Sequence, residues 1–187
     1  MRKQIRLIGA ALLLALTLSP LSAMAANKAE IERNAKSALQ TLYDSTPAAK
    51  KLGEKAKAVL VFPGIIKGGF IIGAQTGNGA MIKDGVTVGY YNTTAVSYGL
   101  QAGIQEYGYA MFFMNDEALA YLNKSEGFEI GVGPSVVVVD KESVGAFGKN
   151  MTTSTLKDDI YAFIFSQKGL MAGLGLQGSK ITKFNPD

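Results

Sequence analysis

The chain contains no cysteine, no histidine and no tryptophan. Without histidine and cysteine there are no Ser-His or Cys-His nucleophile pairs, and the usual zinc and copper ligand sets are missing. Without cysteine there are no disulfides and no thiol to acylate, so a lipid anchor on a new N-terminal cysteine is not expected. Charge of both signs is scarce. Lys and Arg number 19 against 15 Asp and Glu, only 18% of the 187 residues, for a formal net charge of +4. Long apolar runs are absent as well. The run from Leu7 to Leu18 is interrupted by Gly9 and Thr17, and it falls short of the roughly 20 residues that a spanning helix needs.

What that run does fit is a secretory leader. Arg2, Lys3 and Arg6 precede it, and Ser22-Ala23-Met24-Ala25 follows with small residues at the two positions a signal peptidase reads. The expectation is a cut after Ala25, export to the periplasm or beyond, and a single domain over residues 26–187. Three of the 19 basic residues and none of the 15 acidic ones precede that cut, leaving 16 against 15, a balance of +1. The pI of 9.2 therefore overstates how basic the working protein is. A nucleic-acid binder carries a larger basic excess, so nucleic acid is not an expected partner. The 187 residues less 25 leave 162, enough to bury a core without disulfide staples.

Two helices come first. From Asn27 to Tyr43, residues Ile31, Ala35, Ala38, Leu39 and Leu42 form an apolar stripe at helical spacing. Thr46 as a cap and Pro47 at the first helical position predict a second helix running through Val59. Its face away from Ala48, Ala49, Leu52 and Ala56 carries Lys50, Lys51, Lys55 and Lys57 against one acid, Glu54.

Strand texture follows. Pro63-Gly64 predicts a turn, Thr76 to Gly79 a hairpin and Asp84-Gly85 a second turn. Further strands are expected at Val86–Tyr91, Ser97–Gln105, Tyr107–Met114, Phe128–Val132, Ser135–Asp140, Ile160–Ser166 and Leu170–Gln177, with a bend at Glu106. Asn115 is placed to cap a short helix in which Leu119 and Leu122 face inward, and Lys141 to Leu156 reads as a long loop. Of the 22 glycines, 21 lie beyond Ala25 and many sit inside strand-like runs. That pattern predicts tight curvature or close layer contact. The fold class is α+β: N-terminal helices on a strongly curved, glycine-rich antiparallel sheet, with a partly closed, barrel-like form as one option.

Several blocks in order carry a resemblance. Lys57-Ala58-Val59-Leu60-Val61-Phe62-Pro63 precedes Lys67-Gly68-Gly69-Phe70-Ile71-Ile72-Gly73, and Gly77-Asn78-Gly79-Ala80-Met81 follows. Then come Ser97-Tyr98-Gly99-Leu100-Gln101-Ala102-Gly103, Met114 to Leu119, and Lys168-Gly169-Leu170-Met171-Ala172-Gly173 running on to Gly178-Ser179. From roughly Ala29 to Ile181 this resembles the SYLF family, the lipid-binding or actin-patch domain. The resemblance implies recognition of anionic phospholipid or phosphoinositide-type headgroups at a membrane surface, assisted by a basic amphipathic N-terminal segment. Some members also bind actin, a partner not expected in an exported protein.

Lys50, Lys51, Lys55 and Lys57 are the first candidates for a lipid-binding basic patch, with Lys28, Arg33 and Lys36 second. Lysines beside an apolar stripe suit an interface-lying helix. Tyr90-Tyr91 is a further candidate, as a rim that meets a headgroup. Gly131-Val132-Gly133 leads into Pro134 and a strand, so it is no dinucleotide fingerprint. Asp116-Glu117 and Asp158-Asp159 are adjacent pairs whose side chains diverge. No enzyme activity, metal or cofactor is expected. The alternatives are a structural or protein-interaction role in the envelope, or a small outer-membrane β-barrel, against which the continuously apolar runs and N-terminal helices argue.

Overall fold

The computed structural model describes residues 27–124, 128–129, 133–152, 156–169 and 179–187. The expected leader and its cut, the strand expected over Phe128–Val132 beyond its first two residues, and the strand expected over Leu170–Gln177 lie outside the described residues.

Helix α1 (Lys28–Ser45) starts where the Asn27 side chain accepts a bond from the Ala29 N–H at 2.9 Å. It stops because Thr46 precedes Pro47, and a residue before proline is driven out of the helical region. Thr46 sits at φ −136°. Pro47 then opens α2 (Pro47–Gly53), which is shorter than the sequence suggests. Gly53 lies against the Tyr43 ring with no room for a β-carbon, and the chain turns from there into the sheet, where the Lys57 N–H donates to the Phe113 carbonyl at 2.7 Å.

The centre of the molecule is one long two-stranded ribbon. Strand β1 (Ala58–Lys83) pairs antiparallel with β2 (Val86–Phe113) along nearly its whole length. Asp84 and Gly85 join them, at φ 50° and 76°, the backbone of a tight hairpin turn whose twist matches the strands. Straight, 26 residues would span about 86 Å, several times the radius of a domain this size, so the ribbon has to bend. It does so at register shifts between Phe62 and Ile65 and between Phe70 and Ile72. The first shift falls at Pro63, which has no N–H to give the ladder, so Pro63-Gly64 is a bulge rather than the expected turn.

Bending lays the second half of β1 across the first. A β-carbon on Gly79 would stand 2.5 Å from the Val61 carbonyl oxygen and 2.6 Å from the Phe62 ring. The hairpin expected at Thr76–Gly79 is therefore absent. The strand runs straight through it, with Gly77 opposite Thr93 and Gly79 opposite Tyr91. Glycine is there to admit a crossing backbone.

The other edge of β2 is shared. Strand β6 (Lys180–Phe184) pairs with Tyr90–Thr94, and β5 (Ile160–Gly169) pairs with the stretch from Gln105 to Phe113. Strand β3 (Phe128–Glu129) adds to β6, and β4 (Val136–Val139) to β5. The β4–β5 pair is parallel, joined by a crossover containing α4 (Val144–Asn150), so the sheet is mixed rather than wholly antiparallel. The strand order runs from β3 to β4 without those ends meeting. The sheet of the described residues is thus open, and the barrel-like option is not realised. Curvature is absorbed by folding the ribbon over itself.

The first half of β1, its partners on β2 and the start of β5 bury both faces, which explains the continuous apolar runs. Leu60, Phe62, Tyr109, Met111, Ile160 and Ile164 point between the two leaves of the ribbon, joined by Met81, Tyr91 and Ile181. Helix α3 (Asp116–Lys124) closes that core with Ala118 and Leu122. Val59, Val61, Phe112, Tyr161 and Phe163 point the other way, under Ile31, Ala35, Leu39 and Leu42 of α1 and Leu52 of α2.

Candidate functional site

The first-choice lysines separate once folded. Lys50 and Lys51 occupy the last turn of α2, exposed, while Lys55 and Lys57 fall in the connection to β1 rather than on the helix. Lys57 stands 3.8 Å from the Asp116 carboxylate, on the α3 side. On α1, Lys36 pairs with Glu32 at 2.7 Å and the Lys28 ammonium lies 5.7 Å from the centre of the Tyr90 ring. Arg33 is exposed on the same helix. Tyr91 is not a rim residue, since it is buried and donates to the Asn123 side chain at 3.0 Å.

The stretch read as a loop contributes what was missing. Asp140 and Ser143 bond reciprocally, Ser143 N–H to Asp140 Oδ1 at 2.9 Å and Asp140 N–H to Ser143 Oγ at 3.0 Å, and this clasp starts α4. Those bonds hold the Asp140 carboxyl below its usual range, the Ser143 hydroxyl contributing most. None of α4's residues is buried. Val144 and Phe147 pack partly buried against the core, the Phe147 ring 5.5 Å from Tyr161 and 5.7 Å from Phe163.

Between α4 and the α1–α2 junction runs a groove made of two adjoining cavities, about 370 and 460 Å³, which share Ser45, Thr46 and Val144. The first is lined by Pro47, Ala48, Lys51, Gly148, Lys149 and Met151. The second continues over Leu42, Val139, Phe163, Ile164 and Phe165, with Asp140 and Lys141 at its edge. Thr46 holds the cap position of α2 without a side-chain capping bond, and it lines both cavities. The groove thus carries Lys51 and Lys149 in one part, apolar side chains together with Asp140, Lys141, Ser166 and Gln167 in the other, and Ser45 and Thr46 where the two join.

A second polar group lies between the leaves of the ribbon. Tyr107 donates to Gln75 Oε1 at 3.1 Å, and Gln75 donates to Ser179 Oγ at 2.9 Å, all buried. Gln105 and Lys67, partners in the β1–β2 register, are buried beside them, and burial lowers the Lys67 pKa. Among the described residues, no cluster of three His, Cys, Asp or Glu side chains forms a metal site.

Residues 94–185 match the protein family described as Ysc84, Las17-binding protein actin regulator. Over those residues the chain belongs to the SYLF family. The SYLF match takes in most of β2 and everything after it to Asn185, so Lys141, Lys149 and Ser179 lie within it. Helices α1 and α2 and strand β1, with Lys51 and Gln75, lie before it. The chain matches no curated protein.

Sequence reasoning found Lys50 and Lys51 but missed Lys141 and Lys149. About 90 residues separate them from α2, and Gly145 and Gly148 mask the helix that carries Lys149. The one signal available was the Asp140–Ser143 spacing, a helix-start pattern ahead of Val144 and Phe147.

Proposed function

We propose that this protein is an exported, non-catalytic SYLF-family module that binds anionic lipid at a membrane surface. One observation carries the reading: Lys51, Lys141 and Lys149, from two distant parts of the chain, line one groove together with Leu42, Val139 and Phe163. Lys50 stands exposed on α2 and Lys55 in the connection that follows it. Opposed to them at the groove is the Asp140 carboxylate, which is already engaged by Ser143. Each such lysine near an anionic surface adds roughly 1 kcal/mol of attraction. The partner proposed is lipid rather than the actin of the family description.

The test is flotation of the purified protein with phosphatidylcholine vesicles, with and without phosphatidylglycerol. Charge-dependent flotation is expected, and it should fall severalfold in Lys51/Lys141/Lys149→Ala but little in Lys28/Arg33/Lys36→Ala. Indifference to lipid charge would sink the reading and leave a structural or protein-interaction role in the envelope. Fractionation of the producing cell tests export, with the expected pool in the periplasm or medium.

A further inference from the structure

A flat membrane surface touches what protrudes from a protein, and a concave groove does not. The groove beside α4 is such a concavity, and it brings Leu42, Val139 and Phe163 into one cleft with Lys51, Lys141 and Lys149. Lys51 and Lys149 line one part, Ser45 and Thr46 line both, and the other part sets Leu42, Val139 and Phe163 beside Asp140, Lys141, Ser166 and Gln167. Its two parts, about 370 and 460 Å³, fall within the range of roughly 300–1,000 Å³ typical of small-molecule sites. The wall formed by α4 has no fully buried residue; Val144, Phe147 and, just past its end, Met151 pack partly buried against the core.

We propose that the groove takes a single phospholipid molecule out of the bilayer, its phosphate between Lys51 and Lys149 and one acyl chain against Leu42 and Phe163. The proposal rests on the lipid reading above and adds to it a different act, the holding of one lipid rather than adhesion to many. Charge complementarity chooses the occupant. An uncharged apolar ligand would leave Lys51 and Lys149 unanswered, and a free inorganic phosphate would leave Leu42, Val139 and Phe163 uncovered. An amphiphile with an anionic head meets both.

Gly148 gives the means of closing the site. A β-carbon there would lie 3.4 Å from the Ala48 methyl across the α2–α4 gap, so Gly148→Leu fills the mouth while leaving Lys50, Lys51 and Lys55 in place. The probe is dihexanoylphosphatidylglycerol kept below its micelle concentration, titrated into the full-length purified protein by calorimetry, with dihexanoylphosphatidylcholine as the neutral control. Saturable one-to-one binding is expected for the anionic monomer, at least tenfold weaker for the neutral one. Gly148→Leu should lose tenfold or more of monomer binding while its far-ultraviolet circular dichroism matches the parent's. Lys149→Gln, an exposed change that leaves the backbone alone, should lose monomer binding severalfold, which guards against a folding defect in the glycine variant. Vesicle binding without monomer binding, or monomer binding unchanged in both variants, overturns the groove proposal and leaves the surface reading intact. Failure of monomers and vesicles alike removes both.

Discussion

Asn115 donates its side-chain amide to Asp159 Oδ1 at 2.7 Å, while its own carbonyl oxygen accepts the Ala118 N–H at 2.8 Å. One side chain thereby ties the start of α3 to the start of β5. The other oxygen of Asp159 accepts from the N–H of Ser135 at 2.8 Å and from its hydroxyl at 2.9 Å, which fixes the entry to β4. Three elements meet on one carboxylate.

That carboxylate gives the first prediction. The Ser135 N–H, then the Asn115 amide and the Ser135 hydroxyl, hold the Asp159 pKa below its ordinary value. A depressed carboxylate stabilises the fold above its unfolded pKa of about 3.9 and loses that contribution as pH falls through the folded value. Asp159→Asn is expected to lower stability by about 1–2 kcal/mol at pH 7. The gap from the parent should narrow below about pH 4. Urea midpoints at pH 7 and pH 3 measure it, and an equal gap at both would mean that geometry rather than charge is at stake.

Two glycines should respond with opposite signs. Gly79→Ala drives a methyl into the Val61 carbonyl and the Phe62 ring where the leaves of the ribbon cross, and a cost of about 1–3 kcal/mol or more is expected. At Gly145, inside α4, an added β-carbon would meet nothing within 4 Å. Gly145→Ala should stabilise by about 0.4–1 kcal/mol through the unfolded chain and helix propensity. Thermal unfolding of both variants gives the two signs directly.

The buried phenols supply a third. Burial pushes the Tyr107 hydroxyl up to about 12, opposed by its bond to Gln75, and pushes Tyr109 up as well. A raised phenol contributes stability that is fully present below its unfolded pKa of about 10 and lost as pH rises through the folded value. Ultraviolet titration should therefore show phenols that ionise only near pH 12 or on unfolding. Gln75→Leu leaves the Tyr107 hydroxyl and Ser179 without their partner and should cost about 1–3 kcal/mol. A simple single titration near the ordinary phenol value of about 10 would contradict the buried arrangement.

Much of this fold is written locally and some of it is not. Ile31, Ala35, Leu39 and Leu42 announce α1 because helical period and burial coincide. Asp84-Gly85 announces its turn because few residues accept that backbone. The Asn115 cap was legible for a similar reason, since cap and helix lie three residues apart. Gly77 and Gly79 misled because glycine serves a turn and a close crossing equally well, and only the crossing strand distinguishes them. The groove was half legible. Lys51 stands out on its helix, but its pairing with Lys149 depends on a parallel crossover that no local pattern encodes.

The ribbon turn also bears on the order in which this chain acquires its shape. Pairing between β1 and β2 begins at Lys83 and Val86, either side of a two-residue turn, and runs outward to Ala58 and Phe113. Each new pair closes a loop only a few residues larger than the one before, so this ladder is expected to assemble by zipping. Strands β5 and β6 have to find their stretches of β2 across far greater separations and are the slow partners. A ribbon grown from its own tip is then a template already in place when the rest of the chain arrives.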